Sequence, residues 1–209
     1  MKRAWLRVVI FMVALGVPLY WLYLAWVLAL GPEPGKWLLD HLGQGALLLL
    51  LATLAMTPLA RLTGWAQWVA TRRQLGLWCF VYACLHVACF ILFILGAQWE
   101  RLPSEALERP YVMVGALAFL GLLALAVTSN RRSMRYLGSG WKKLHRVIYL
   151  VLPLVLLHML WVVRSDLELW VSYAAVAGVL LLLRTPWGRA WLDKHGFSRR
   201  RTPRKRNSS

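Results

Sequence analysis

Three histidines lie in or at the edge of apolar stretches long enough to cross a membrane. His86 lies within GLWCFVYACLHVACFILFILG and His158 within VIYLVLPLVLLHMLWVV, whereas His145 precedes the second stretch. A polar side chain in hydrocarbon needs a partner, because leaving it unsatisfied is strongly unfavourable. Imidazole carries protons, and it is also a standard axial ligand of haem iron. All three histidines are therefore candidate functional residues.

The apolar residues that surround these histidines form long blocks. Of the 209 residues, 60% are hydrophobic and only 16% are charged, whereas a soluble domain carries about 25% charged residues. A bilayer-spanning helix needs about 20 mostly apolar residues. The sequence therefore predicts an all-α membrane protein, a six-transmembrane-helix bundle forming one domain. The predicted spans are 8–30, 44–60, 76–97, 111–129, 147–163 and 168–183.

The distribution of charge predicts the orientation of this bundle. If the N-terminus is inside, 21 of the 25 Lys and Arg residues fall in cytoplasmic segments, and seven of the eight acidic residues fall outside. This pattern obeys the positive-inside rule and predicts that both termini are cytoplasmic. The net charge of +17 then indicates anionic lipid rather than nucleic acid as the partner of the basic segments. The predicted divisions are a cytoplasmic N-terminus (1–7), the six-helix domain (8–183) and a basic cytoplasmic tail (184–209).

Three cysteines lie in the third predicted span at intervals of five residues: Cys79, Cys84 and Cys89. Five helical residues rise about 7.5 Å, which exceeds the reach of a disulfide. Their spacing also matches no zinc or iron–sulfur site. We therefore expect them to be packing residues.

The depth of the histidines favours one pair. Spans three and five run in the same direction. His86 lies about 15 Å past Gly76, and His158 lies about 16.5 Å past Val147. His145 is at the cytoplasmic edge, about 19.5 Å from His158 along the same helix. Only His86 and His158 therefore meet the depth condition for two imidazoles that share one iron.

Other interpretations of these residues remain open on spacing alone. An embedded histidine can be a hydrogen-bonded bundle residue or part of a proton relay, and chlorophyll- or quinone-binding helices look similar. The position of His145 fits three roles: an interfacial residue, a haem ligand, or a residue that contacts a flavin or phosphate. We expect His41, in the outer segment KWLLDHLGQG, to be interfacial, and we place His195 in the basic tail.

Five stretches, in order over about positions 50–161, are familiar as a set. They are LLATLAMTPLAR, TRRQLGLWCFVYACLH, RPYVMVGALAF, LGSGWKKLHRVIYLV and HMLW. With these motifs the chain resembles the ferric-reductase-like transmembrane family, and within it the haem-containing membrane subunits of bacterial methionine-sulfoxide reductase systems.

The resemblance implies a b-type haem, with family ligand positions at His86, His145 and His158. It also implies electron transfer from the quinone pool to a periplasmic molybdopterin-containing methionine-sulfoxide reductase subunit (MsrP), which repairs oxidised proteins. An associated FMN and a location in the bacterial cell inner membrane are further implications. The chain would then be an electron-transfer subunit rather than the sulfoxide-reducing catalyst.

The chain departs from the wider family in one respect. Ferric reductases typically carry two histidines on each of two helices, whereas span three here contains His86 alone. His145 would then need a water, another side chain or another cofactor as its partner. No room follows span six for a cytosolic FAD/NADPH domain, so we expect the reductant to come from another molecule.

Two surfaces and two competing functions complete the sequence-based expectations. Arg72, Arg73 and the segment 131–146 form a basic surface that either holds a flavin phosphate or reflects topology and lipid contact. The acidic outer loop around Glu100 and Glu108, which also contains Glu105, is either a docking surface or a solvated loop.

The competing functions are a cytochrome b anchor of another respiratory enzyme and a non-redox proton or metal transporter. We detect no inverted repeat that would support the transporter.

Overall fold

The computed structural model of the chain describes residues 2–163 and 167–196, and these ranges are almost entirely helical. Arg164 and the tail segment SRRRTPRKRNSS, both used in the charge pattern, lie outside the described residues. The α-helices in chain order are α1 Lys2–Trp26, α2 Pro34–Thr63, α3 Gln67–Cys89, α4 Leu102–Glu108, α5 Pro110–Val127, α6 Arg131–Leu137, α7 Ser139–Leu144, α8 Ile148–Val162, α9 Leu167–Leu182 and α10 Pro186–His195.

Two short irregular turns extend these helices. A π-helical turn, Phe90–Ile94, continues α3, and a 3-10 turn, His145–Val147, joins α7 to α8. The chain continues in the same direction through both turns. α3 with its π-helical turn therefore forms one span, and α7 with α8 forms another.

Five helical segments are long and apolar enough to cross a membrane. They are Ala4–Trp26, Pro34–Thr63, Gln67–Ile94, Pro110–Val127 and Ser139–Val162. Helices α9 and α10 form a sixth only if this pair, bent by 81°, is counted as one span. The prediction of an all-α, multi-pass membrane protein is therefore confirmed, and the number of spans is five or six.

Several predicted boundaries differ from the helices. α1 ends at Trp26, whereas the first predicted span ends at residue 30. α2 begins at Pro34 and α3 at Gln67, each about ten residues before the predicted starts at residues 44 and 76. Proline is favourable in the first turn of a helix, where its missing N–H has no helical partner. The polar segment predicted to be an outer loop is therefore helical, and His41 lies within α2.

The core lies between two antiparallel helix pairs. α2 packs most extensively against α3, and α5 against α8. Leu54 and Cys79 from the first pair meet Val151 and Leu152 from the second, and all four side chains are almost completely buried. Cys79, Cys84 and Cys89 are free thiols, which confirms that they do not form disulfides with one another.

A proline inside α1 creates a polar contact between α1 and α3. Pro18 has no N–H, so the carbonyl of Ala14 lacks its helical donor. The buried hydroxyl of Tyr82 donates to this carbonyl over 3.0 Å. In hydrocarbon such a carbonyl has no water to bind, so Tyr82 both satisfies α1 and holds it against α3.

Pro58 has the same effect inside α2. It leaves the carbonyl of Leu54 without a helical donor, and Nη2 of Arg184 donates to that oxygen over 2.5 Å. Nη1 of Arg184 also donates to the hydroxyl of Tyr149 over 2.8 Å. The bend that follows α9 is thus tied to both α2 and α8.

We expect Tyr82→Phe to lower the free energy of unfolding by about 1–2 kcal/mol, because it leaves the Ala14 carbonyl unpaired. In a Pro18→Ala background the same change should cost less than about 0.5 kcal/mol, since residue 18 then donates to Ala14 itself. Thermal unfolding of the four proteins in one detergent measures this coupling. Tyr173→Phe is the control, because no hydrogen bond of the Tyr173 hydroxyl occurs in the described part of the chain. If Tyr82→Phe cost the same free energy of unfolding in both backgrounds, the proposed role of the Tyr82–Ala14 hydrogen bond would be wrong.

Candidate functional site

His86 projects from α3 onto a glycine of α2. Its Nδ1 lies 2.9 Å from the carbonyl oxygen of Leu39. A methyl group on Gly43 would lie only 3.0 Å from the same Nδ1 atom. The absence of a side chain at Gly43 therefore lets the imidazole lie directly against the backbone of α2.

His158 repeats this arrangement between α8 and α5. Its Nδ1 lies 2.7 Å from the carbonyl oxygen of Tyr111. A methyl group on Gly115 would lie 2.8 Å from Nδ1 and Cε1 of the ring, which is closer than such contacts allow. Glycine at this position is therefore a steric requirement for the observed ring position.

The two hydrogen bonds fix the tautomer of both rings. A carbonyl oxygen only accepts, so Nδ1 donates in each case and the Nε2 atom of the neutral ring carries the free lone pair. Within the described residues, no hydrogen bond to Nε2 of His86 or His158 occurs. Metal-binding histidines are held in this manner, with the second nitrogen donating to a carbonyl that orients the ring.

The rings of His86 and His158 face each other across the bundle. Their centres are 6.2 Å apart and their planes are nearly perpendicular, at 88°. Two imidazoles bound to opposite sides of one metal ion, at about 2 Å per bond, place their ring centres about 6 Å apart. The spacing and the free nitrogens therefore fit a pair of axial ligands.

The donor set also indicates the kind of centre. No group of three or more His, Cys, Asp or Glu side chains suited to a metal ion occurs in residues 2–163 and 167–196. A metal held by His86 and His158 would thus take its remaining ligands from a prosthetic group. A haem would be such a group, and His86 and His158 would hold its iron.

The two halves of the site share one spacing in the sequence. A separation of 72 residues relates Leu39 to Tyr111, Gly43 to Gly115 and His86 to His158. The spans Gln67–Ile94 and Ser139–Val162 also begin 72 residues apart, so each histidine lies nineteen residues after the start of its span. These equal offsets place the two histidines at similar depth in their spans.

His145 lies in a different cluster, at the junction of α7 and α8. Its Nε2 is 3.2 Å from Oγ1 of Thr128, and that hydroxyl donates to the carbonyl of Ala124 over 2.6 Å. The hydroxyl hydrogen is thus in use, so His145 donates from Nε2, the reverse of the tautomer in the other two histidines. The ring stacks on Trp141 with centres 4.0 Å apart, and Nε1 of Trp141 donates to the carbonyl of Thr128.

A family model described as the ferric reductase like transmembrane component matches residues 42–157, more than half of the chain. The chain belongs to this family. The matched range contains His86 and His145 and ends one residue before His158. The expected family membership is therefore confirmed.

A relative from Salmonella arizonae is similar over nearly the whole of both chains. It is the protein-methionine-sulfoxide reductase heme-binding subunit MsrQ, 42% identical over 191 residues, which cover 90% of this chain and 94% of the relative. No solved structure matches the chain.

Two further histidines of this ferric-reductase-like chain stack on tryptophans. His41 lies in α2 with its ring 3.5 Å from that of Trp37, and its Nδ1 is 2.9 Å from the Trp37 carbonyl. His195 ends α10 and stacks on Trp191 at 4.8 Å. The structure brings neither residue to the His86–His158 pair.

The basic surface predicted from the sequence divides into two parts. We call the end of the bundle where α3 begins and where α2 and α5 end the basic end. Arg72 and Arg73 both lie there. Arg72 is half-buried and lies near enough to Arg184 and His145 to interact with them electrostatically, whereas Arg73 is exposed. The sequence did not single out Arg184, although Pro58 indicated that α2 has a carbonyl in need of a donor.

The acidic loop at the opposite end is partly neutralised. Arg109 forms an ion pair with Glu105 over 2.8 Å and donates to the hydroxyl of Tyr111. Glu100 and Glu108 are exposed. Because the backbone carbonyl of Tyr111 holds His158, this loop is directly connected to the histidine site.

Proposed function

We propose that this chain is a transmembrane haem b electron-transfer subunit. It passes electrons from the quinone pool or a reduced flavin to a periplasmic molybdenum-cofactor methionine-sulfoxide reductase, and so supports the repair of oxidised periplasmic proteins. The location that follows is the bacterial cell inner membrane. The similar Salmonella protein, whose name describes the heme-binding subunit of a protein-methionine-sulfoxide reductase, supports this assignment.

The facing pair of His86 and His158 carries the proposal. Their ring spacing of 6.2 Å and their two Nδ1–carbonyl hydrogen bonds suit axial ligation of one iron. A bound haem would supply a one-electron iron couple. If His86 and His158 both held that iron, it would have no position free for oxygen, which would favour electron transfer over oxygen chemistry.

The residues around the pair adjust its chemistry. The carbonyls of Leu39 and Tyr111 accept from the two histidines, which would make each imidazole a better donor to a bound iron and would favour its oxidised state. Gly43 and Gly115 fix how closely each ring approaches its neighbouring helix. The site is preorganised on helices, so little rearrangement accompanies a change of charge.

The direction of transfer follows from the position of the site. Only eight residues, about 12 Å of helix, separate His86 from Ile94 at the end opposite the basic end. By the charge pattern that end is periplasmic, which suits delivery to a periplasmic partner. We propose that reduced quinone or flavin, including an associated FMN, acts at the basic end, where arginines favour anionic groups. His145 is a further proposed cofactor-binding residue there, separate from the His86–His158 pair, and as an iron ligand it would have to give up its bond to Thr128.

A reoxidation experiment tests this function. The purified, haem-loaded protein is reduced with dithionite without oxygen, and the periplasmic reductase is then added with methionine sulfoxide. We expect the reduced α band to disappear and one methionine to form for every two electrons lost. Omission of either the reductase or the sulfoxide should leave the band unchanged.

The competing functions give different results in the same experiment. A cytochrome b anchor of another respiratory enzyme would bind haem but would not be reoxidised by this pair of reagents. A proton or metal transporter would purify without a chromophore. Either result would contradict the proposed function.

A further inference from the structure

A groove of about 560 Å³ lies between α1 and α3 at the basic end. α1 is held loosely, because only Ala14 among its apolar side chains is buried. The groove is therefore open to the lipid that surrounds the bundle. It is separate from the histidine pair, and the proposal below does not rest on the function proposed above.

Two arginines mark the mouth of this groove. Arg7 from α1 and Arg73 from α3 both line it, and both are exposed. Neither forms an ion pair with a carboxylate in the described ranges, where the ion pairs involve Lys36, Arg61 and Arg109. Arg7 also donates to the carbonyl of Ala70 over 3.4 Å, and guanidinium groups without an acidic partner are suited to bind a phosphate.

A third polar side chain lies between these arginines. Nε2 of Gln74 donates to the carbonyl of Arg7 over 2.7 Å and thereby joins α3 to α1. Its Oε1 atom is buried and receives no hydrogen bond. Such an acceptor requires a donor, which a hydroxyl group next to a bound phosphate would provide.

The rest of the groove is apolar. Leu77, Trp78 and Val81 follow Arg73 along α3, away from the basic end, and Phe11 packs edge-on against Trp78 at 5.4 Å. These walls continue into the hydrocarbon region. A soluble phosphate compound would leave them uncovered, whereas an acyl chain would cover them.

We propose that this groove binds an anionic glycerophospholipid of the inner leaflet with a hydroxyl-bearing headgroup, of which phosphatidylglycerol is the type. Arg7 and Arg73 bind the phosphate, Oε1 of Gln74 accepts from a headgroup hydroxyl, and an acyl chain lies along Leu77 and Trp78. A neutral quinone lacks the negative charge that the two arginines require.

Native mass spectrometry of the full chain tests this site. The protein is titrated with phosphatidylglycerol or phosphatidylcholine in one detergent. The Arg7→Gln/Arg73→Gln variant is compared with Arg135→Gln/Arg146→Gln, which loses the same charge from exposed arginines outside the groove. We expect phosphatidylglycerol to bind the groove variant at least tenfold more weakly than the wild type, and the control variant within twofold of it.

Five results would overturn the proposal, four of them in the lipid titrations. They are equal weakening in both variants, no weakening in either, an equal loss of phosphatidylcholine binding, and displacement of the lipid by millimolar glycerol phosphate. Tighter binding of ubiquinone than of phosphatidylglycerol would likewise exclude it. Circular dichroism of each variant verifies that it is folded, and Gln74→Leu is a second variant that should weaken phosphatidylglycerol binding without removing charge.

Discussion

His86→Ala and His158→Ala are each expected to abolish the Soret and α bands of the purified protein. Each substitution removes one of two axial ligands from a site whose ring centres are 6.2 Å apart, and no other described histidine ring contacts this pair. His145→Ala is expected to spare most of the absorbance, because that ring lies against Thr128 and Trp141. Absorbance spectra of dithionite-reduced protein, normalised to protein concentration, measure the effect.

A matched control and a rescue separate ligation from folding. His41→Ala removes a half-buried imidazole from α2 and should leave the bands unchanged. Free imidazole added during haem loading of His86→Ala or His158→Ala should restore part of the absorbance, since it can occupy the vacated position. Full haem retention in either variant would exclude the pair, and loss in all three histidine variants would make His145 a ligand as well.

Methyl groups added at the two glycines should have graded effects. We expect Gly115→Ala to lower haem occupancy at least fivefold, because its Cβ would lie 2.8 Å from two atoms of the His158 ring. Gly43→Ala should have a smaller effect, since the nearest His86 atom would be 3.0 Å away. Adding a methyl group to a packed site costs about 1–3 kcal/mol of free energy, which accounts for losses of this size in haem occupancy. The ratio of haem to protein after loading measures the occupancy.

Gly178→Ala and Gly16→Ala are the controls for this series. A methyl group at either position meets nothing within 4 Å, so both variants should load as much haem as the wild type. An unchanged occupancy in Gly115→Ala, or a drop in all four variants, would show that close approach of the rings to α2 and α5 is not what positions them.

The sequence predicted His86 and His158 as a pair of similar depth from inaccurate helix boundaries, and the structure places their ring centres 6.2 Å apart. The apolar blocks placed the starts of the two spans at Gly76 and Val147, whereas the helical spans begin at Gln67 and Ser139. The two starts moved by nine and eight residues, so the match in depth was preserved. Hydropathy locates the hydrocarbon-crossing part of a helix, and backbone hydrogen bonding extends the helix beyond it.

The tertiary contacts of single residues could not be predicted from hydropathy. Gly43 and Gly115 have no polar group to attract notice, and their importance arises only where a ring from another helix lies against them. Arg184 was counted as one more basic residue after the last predicted span. In the structure it reaches the Leu54 carbonyl that Pro58 leaves unpaired.

The sequence by itself determined that the chain is a multi-pass helical membrane protein and which histidines are chemically unusual. Hydrophobic length and the scarcity of polar residues in hydrocarbon are properties of the chain alone, so they can be read without a fold. Only the tertiary structure decided that His86 and His158 face one another with Nε2 free, and that His145 donates elsewhere. The physical reason is that a ring's partner and tautomer depend on the neighbouring helix, and rotation about a helix axis is set by packing rather than by depth.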